Sequence, residues 1–386
     1  MVGKLPPLSL YIHIPWCEKK CPYCDFNSHE LTQQLPEKEY LAALKQDLAF
    51  ERQRVGKRPL VSLFIGGGTP SLVSVSFIEQ LLQTVEEQFC LVGEVEITLE
   101  ANPGSTEVNK LVGFRAAGIN RVSLGIQSFD DHSLQRIGRI HNGAEARRAI
   151  EAVQQAGLER YNVDLMFGLP DQTVAGGLRD LTEALDFGVT HLSWYQLTLE
   201  PNTRFAHFPP QLATEDDIFQ LHDEGQQQLA QRGLQQYEIS AYSQPGQQSR
   251  HNLNYWRFGD YLGVGAGAHG KLTDELTGRV SRSWKWKHPR QYMEQVKNGT
   301  PCQGAGQVMA EQLPSEYMIN RLRLNVGFTA DEYQQATGLP LSTIAEPIAE
   351  ATRRGLLHLL GNVFQPTELG QRFLNDLISL FLDDEA

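Results

Sequence analysis

Cys17, Cys21 and Cys24 stand in the spacing C-x-x-x-C-x-x-C inside the stretch YIHIPWCEKKCPYCDFNSH, Tyr11 to His29. Three thiolates this close in sequence can fold around one metal centre, and their number selects among centres. A tetrahedral zinc site normally closes with four protein ligands, often as two pairs a dozen or more residues apart. A ferredoxin run caps every cluster iron with a protein thiolate. Three cysteines on a four-iron cluster leave one iron open, which suits a cluster that binds a ligand rather than one that only passes electrons.

The elements that must position these thiols are legible as alternating apolar and amphipathic runs. Strands are expected at Leu8 to Ile14, Leu60 to Ile65, Glu94 to Glu100, Arg121 to Ile126, Tyr161 to Met166 and His191 to Leu197. Helical patterns fall between them, at Glu37 to Arg54, Ser76 to Gln88, Gly143 to Ala156 and Ala175 to Phe187. Repeated β-α units predict an α/β fold with a parallel sheet, a partial six-unit barrel of the TIM type, whose functional groups sit where strands end. The cysteine loop follows the first strand. Gly66-Gly67-Gly68-Thr69-Pro70 closes the second, where glycines let a ligand approach the backbone, although a tight turn also uses them. Glu100 ends the third strand, Gln127 follows the fourth, Arg139 lies in RIGRIHN and Asp164 sits in the fifth. Each alone reads as a salt-bridged loop residue. Together they recur at strand ends after a candidate cluster loop.

Size and composition narrow the classes. With 386 residues, 41% hydrophobic and 21% charged, the chain has room for two to three domains or a barrel with an appendage. No apolar run reaches the roughly 18 residues of a membrane span, and the first residues lack a secretory pattern, so a cytoplasmic protein is expected. Five cysteines, three in one motif, fit a reducing compartment; Cys90 and Cys302 read as small buried or incidental residues. A net charge of -12 argues against a nucleic-acid phosphate backbone as partner.

The cysteine motif, with aromatic Tyr23 before its last Cys, resembles the radical S-adenosylmethionine (SAM) superfamily. The resemblance implies a [4Fe-4S] cluster on Cys17, Cys21 and Cys24, with SAM on the fourth iron and, where SAM is cleaved, a 5'-deoxyadenosyl radical. It places Gly67, Gly68 and Thr69 at the amino group of SAM and Glu100 and Asp164 on its hydroxyl or amino groups. Gln127 would meet its sugar or base, and Arg139 its carboxylate, as a planar guanidinium does well. Tyr11 and Tyr23 would pack against the ligand, or equally belong to the core.

YIHIPWC, GGGTP, EANPG, GIQSFD, RIGRIHN and NVDLMFGLP together resemble the oxygen-independent coproporphyrinogen III oxidase (HemN) family. Two departures separate the chain from true oxidases: Asp25-Phe26 follows Cys24 where oxidases carry a further Cys, and little sequence precedes the first Cys. Further on, HNLNYW at His251 to Trp256 is similar to the haem-binding motif of the haem-chaperone (HemW) subgroup. That implies His251 as haem ligand, with His269 as a second candidate, and a haem-accepting protein, for example of the respiratory chain, as partner. The alternatives are a coproporphyrinogen III dehydrogenase and a radical SAM enzyme on an unrelated substrate. The expected division is a core barrel over residues 1–240, a haem-motif segment and connector over 241–310, and a C-terminal winged-helix-like domain over 311–386. Lys285, Lys287 and Arg290 in the connector read as a solvated basic turn that could meet porphyrin propionates. The last module carries 11 acidic and 5 basic side chains, a net of -6, and is expected to be a lid or protein-contact surface rather than a DNA reader.

Overall fold

The first strand shows why the sheet forms and which way it faces. In a computed structural model, which describes residues 5–104 and 109–382, Leu8, Leu10, Ile12 and Ile14 are 0–1% exposed and lie on one face of β1, Leu8–Ile14. Ser9, Tyr11 and His13 take the other face, because successive strand side chains alternate. Burying each of those four apolar side chains contributes roughly 1.5–3 kcal/mol. The pattern repeats along β2 (Leu60–Gly67), β3 (Leu91–Ala101), β4 (Arg121–Gln127), β5 (Arg160–Phe167) and β6 (His191–Gln196). Leu63, Leu99, Val122, Val163 and Leu192 go under the outer helices, while Ser62, Glu96, Ser123, Asn162, Asp164 and Ser193 face inward.

Helices α1 (Glu37–Val55), α2 (Val75–Gln88), α3 (Gly143–Gln155), α4 (Val174–Asp186) and α5 (Glu215–Gln231) cover the apolar face. The starts of α2 to α5 are set by side-chain caps at Ser74, Asn142, Thr173 and Thr214, each accepting from a backbone N–H three residues on. Neighbouring strands from β1 to β6 pair in parallel, so the expected α/β core with a parallel sheet is present.

The sheet runs further than six strands. Strand β7 (Ala241–Ser243) adds antiparallel to β6. On the opposite side β8 (Asp260–Val264) pairs parallel to β1, followed by antiparallel β9 (His269–Thr273), β10 (Val280–Lys285) and β11 (Cys302–Gln307). The stretch from Thr273 to Pro301, which reads in sequence as a connector, therefore carries β10 and a helix at Pro289–Lys297. Its basic turn also differs from expectation: Lys285 is 1% exposed between Asp47 and Glu51 of α1, at 2.5 and 2.6 Å. Alternation explains this, since Ser281 and Ser283 place Lys285 on the face that meets α1. Cys90, expected to be buried or incidental, is exposed.

The short helix α6, Arg250–Trp256, lies inside the curve of the sheet. Its His251 bonds Ser62 of β2 through Nδ1 (3.0 Å) and donates its backbone N–H to Glu96 of β3 (3.0 Å). Beyond the sheet, helices at Leu313–Arg321, Ala330–Thr337 and Ala345–Arg353 precede a hairpin, Leu357–Leu360 and Val363–Pro366, that turns at Gly361-Asn362. That is the winged-helix-like order, and it has its own core around Tyr317, Met318, Phe328, Tyr333 and Leu377. The sequence pattern from Thr367 to Phe381 reads as one last helix, but the structure has two, Glu368–Arg372 and Leu374–Ser379. The break at Phe373 leaves that ring exposed while Leu374, Leu377 and Ile378 turn inward.

Candidate functional site

The cysteine loop is closed at its two ends before any ligand arrives. Trp16–Cys17 pairs in parallel with His29–Glu30, and Leu31 donates its N–H to the Cys17 carbonyl at 2.9 Å. A single side chain pins its far side: Asn27 Nδ2 donates to the carbonyls of Ala266 and Lys287, both at 2.9 Å. His13 Nε2 meets the Asn27 carbonyl at 2.9 Å, and Tyr40 Oη donates to the His13 carbonyl at 2.7 Å. Burial pushes the Cys17 and Cys24 thiols up from their ordinary values, opposed by hydrogen bonds that include Thr69 at Cys17 and the Phe26 backbone at Cys24. Thiols in this state release protons only when a positive centre binds them. Among the described residues no three His, Cys, Asp or Glu side chains are gathered around a single ion.

The end of β2 passes directly under that loop. Gly68 donates its N–H to the Ile14 carbonyl and Thr69 to the Trp16 carbonyl, both at 2.8 Å. A Cβ on Gly68 would stand 2.5 Å from the Trp16 oxygen and 2.9 Å from Cys17 Sγ. Gly67, at φ 124, holds a conformation that L side chains rarely adopt, and its N–H goes to Glu100 Oε2 at 3.0 Å. The glycines thus bring bare backbone against the thiols, which is more than a turn requires.

The strand ends beyond supply charge. Glu100 is pushed up to about 8 by burial and then by the neighbouring Asp164, against the Gly67 N–H. Asp164 is also raised by burial, opposed by hydrogen bonds from Ser193, Asn162 and Ser123 and by Arg139. Arg139 Nη2 donates to Asn102 Oδ1 at 2.7 Å and to the Gly125 carbonyl at 2.6 Å, Nη1 lies 3.7 Å from Cys21 Sγ, and Nε is buried without a partner. Gln127 sits at φ 68, a left-handed conformation that costs a non-glycine residue roughly 1–2 kcal/mol. Its Oε1 accepts from Tyr195 Oη at 2.8 Å.

All these groups open onto one cavity of about 530 Å³, lined by the three cysteines, Tyr23, Gly67, Gly68, Thr69, Glu100, Gln127, Arg139 and Asp164. The Arg139 guanidinium shares this cavity with a pair of carboxyls, Glu100 and Asp164, whose proton affinities are both held up, by burial and, at Glu100, by Asp164 as well. That arrangement suits a ligand with a carboxylate at one side and a cation at the other.

Two expected residues do not line the cavity. Tyr11 lies beneath Gly66 and Glu100, its Oη 2.9 Å from His13 Nδ1. His251 is 1% exposed, stacked on Phe64 at 5.0 Å between centroids and edge-on to Tyr255 at 4.9 Å. Burial lowers its proton affinity to about 3, and Nε2 has no hydrogen-bond partner. Its second candidate, His269, is exposed on β9. The reading missed Asn102, which bonds both Arg139 and Thr69 (3.0 Å), and Tyr195 on Gln127. Both were findable, since Asn102 sits inside EANPG and Tyr195 near the end of the sixth strand.

Comparison with known proteins fits this geometry. The radical SAM superfamily model matches residues 11–180, and the HemN C-terminal domain model matches 308–373. The chain is 48% identical to the heme chaperone HemW of Haemophilus influenzae over 386 residues, covering 99% of this chain and 100% of the relative. Against the Escherichia coli heme chaperone HemW the identity is 46% over 98% and 99%, and against that of Bacillus subtilis 32% over 97% and 99%. The solved structure of Escherichia coli coproporphyrinogen III oxidase (HemN), a radical SAM enzyme, superposes with a TM-score of 0.84 at 24% identity, over 98% of this chain and 90% of that one, a likeness of fold.

Proposed function

Because the chain belongs to the HemW family of radical SAM proteins, we propose that it is a cytoplasmic haem chaperone that binds haem and passes it to an acceptor protein, with a [4Fe-4S] cluster and SAM held in the large cavity. The observation that carries the cofactor reading is the convergence of three thiols, the Arg139 guanidinium and a bare glycine backbone on one cavity. Three protein thiols leave one iron of a four-iron cluster open for a ligand, whereas a tetrahedral zinc site normally closes with four protein ligands.

Cys17, Cys21 and Cys24 would hold the cluster. Arg139 would take the carboxylate of SAM, and Glu100, once ionised, its amino group. Asp164 would accept from a hydroxyl or amino group, and Gln127, locked by Tyr195, would border the sugar or base. Bound together, cluster and SAM supply one-electron chemistry. The chain's own part is to orient them: Asn102 keeps Arg139 aimed, and Asn27 with His13 fixes the loop. His251 enters this reading differently from the sequence expectation, since its ring reaches a porphyrin only if α6 leaves its place against β2.

The alternative, oxidative decarboxylation of coproporphyrinogen III, draws support from the fold shared with HemN. Against it stands Phe26, 60% exposed at the cavity mouth after Asp25, where the oxidases' further Cys is absent. The test is anaerobic: reconstitute the cluster, add haem, follow the Soret band, then mix with an apo-haem protein. Haem binding and transfer without decarboxylated product from coproporphyrinogen III support the chaperone. Product formation without haem retention restores the oxidase.

A further inference from the structure

His251 and Trp256, at the two ends of HNLNYW, each carry a polar ring atom, Nε2 and Nε1, that is buried without a hydrogen-bond partner. Buried polar groups are nearly always paired, so two orphans in one short helix mark groups closed off until something else meets them. What closes them differs on the two sides of α6. On one side the helix is held by strands. Asn254 Nδ2 donates to Ser9 Oγ of β1 at 2.8 Å and to the Asp260 carbonyl of β8 at 2.9 Å, beside the bonds of His251 to Ser62 and Glu96. These partners belong to one continuous sheet and cannot withdraw singly.

On the other side the helix is held by the C-terminal domain, whose first helix, Leu313–Arg321, packs against it. The Arg323 guanidinium lies 5.1 Å from the Trp256 ring centre. Tyr255 stands edge-on to Tyr261, 4.3 Å between centroids, and Arg282 of β10 bonds both the Tyr261 hydroxyl and the Glu316 carboxylate. Tyr255 is thereby tied, through two residues, to the domain's first helix. Phe258, two residues past α6, is itself part of the domain's core, edge-on to Tyr317 at 5.7 Å. Its backbone is left-handed, φ 60, which is strained for a bulky residue. Lys271 keeps it there: Nζ donates to the Phe258 carbonyl at 2.9 Å and sits 3.9 Å from the ring centre. A shift of the domain therefore draws directly on the C-terminal end of α6.

We propose that the C-terminal domain is a latch on the haem-motif helix. With the Arg282–Glu316 pair closed, α6 is pinned between domain and sheet and His251 is sealed. With the pair open, the domain and Phe258 draw the end of α6 off the sheet, and Nε2 becomes accessible to iron. The proposal rests on the haem-binding reading above and states what gates it. Arg282 and Glu316 are 29% and 30% exposed, so theirs is a surface contact weak enough to open without unfolding either body.

The experiment compares the full-length, cluster-loaded wild type with Arg282→Glu, Glu316→Arg and the double charge swap, under anaerobic conditions. Two rates are read: haem association by stopped-flow at the Soret band, and backbone amide exchange over residues 250–256 in the haem-free chain. Iron content and SAM binding check that each variant is folded. Each single substitution sets like charges opposite one another and is expected to speed both haem association and exchange several-fold. The double swap re-forms the pair with its charges exchanged and is expected to bring both rates back toward wild type. A double variant no closer to wild type than either single overturns the latch, since a merely structural role for Arg282 is not rescued by Glu316→Arg. Unchanged or slower haem association in both singles also overturns it and leaves the chaperone reading standing. No haem binding by the wild type overturns both.

Discussion

Gly68→Ala tests whether the end of β2 and the cysteine loop form one rigid unit. Gly68 needs no left-handed backbone, so the substitution acts only through space. Its new Cβ would lie 2.5 Å from the Trp16 carbonyl oxygen, 2.8 Å from the Trp16 carbonyl carbon and 2.9 Å from Cys17 Sγ. Comfortable contacts fall near ~3.5–4.0 Å, so the loop must retreat by about 1 Å. Two of the three obstacles are main chain and cannot rotate aside. The retreat stretches the 2.8 Å bond from Thr69 to the Trp16 carbonyl, which contributes about 1 kcal/mol. Overpacking adds about 1–3 kcal/mol, giving a total near ~2–4 kcal/mol. With unfolding entropy near ~2.1 cal/mol/K per residue, that is a fall of a few degrees in melting temperature for a chain this long. Displaced supporting contacts around a metal centre cost about 10–100-fold in metal affinity, so iron retained after reconstitution should drop far more visibly than stability. The assays are thermal melting of the apo chain and iron per chain after desalting. Gly306→Ala is the control, because nothing lies within 4 Å of its added Cβ. Wild-type melting and iron content in Gly68→Ala would refute the claim that this glycine is required by close approach.

Lys285→Met should destabilise by about 3–5 kcal/mol in urea unfolding, because it leaves Asp47 and Glu51 buried without their cation; Asp47→Asn in the same chain should recover part of the loss. His251 has a folded proton affinity lowered to about 3 by burial, so its contribution is complete above its ordinary value of 6.5 and is lost as pH falls from there toward 3. His251→Gln, which keeps a partner for Ser62, should reduce the acid-side slope of stability by up to about 1.4 kcal/mol per pH unit, read from urea midpoints; an unchanged slope would show that the ring is not sealed. For Glu100, held up at about 8, binding of a cationic amino group requires ionisation, so SAM affinity should tighten as pH rises toward 8 and should lose that dependence in Glu100→Gln, measured by equilibrium dialysis.

The sequence was most transparent where one periodicity served one purpose. Strands β1 to β6 each set apolar residues on the helix-covered face, and every one lies where alternation and turn signals place it. Helices α2 to α4 were marked by their caps and amphipathic stripes, while α1 starts after Pro36 with no side-chain cap. The antiparallel extension was opaque for a physical reason: β10 and β11 are short, carry Ser, Arg, Gly and Gln, and pack their inner face through a Lys paired with two carboxylates. A polar strand stabilised by a buried ion pair has the composition of a loop. The last helix failed similarly, since continuous helical spacing says nothing about the bend at Phe373.

The site was legible to the extent that it follows strand ends. Cysteines, glycines and the charged residues at those ends converge because a parallel sheet gathers them at one rim. Depth along the strand is what a motif does not encode. Tyr11 and His251 are each in the interior, but Tyr11 is screened by Gly66 and Glu100, and His251 meets β2 at Ser62, several residues before the glycines that border the cavity. A histidine inside a recognised motif therefore sits with its free Nε2 enclosed by Phe64 and Tyr255.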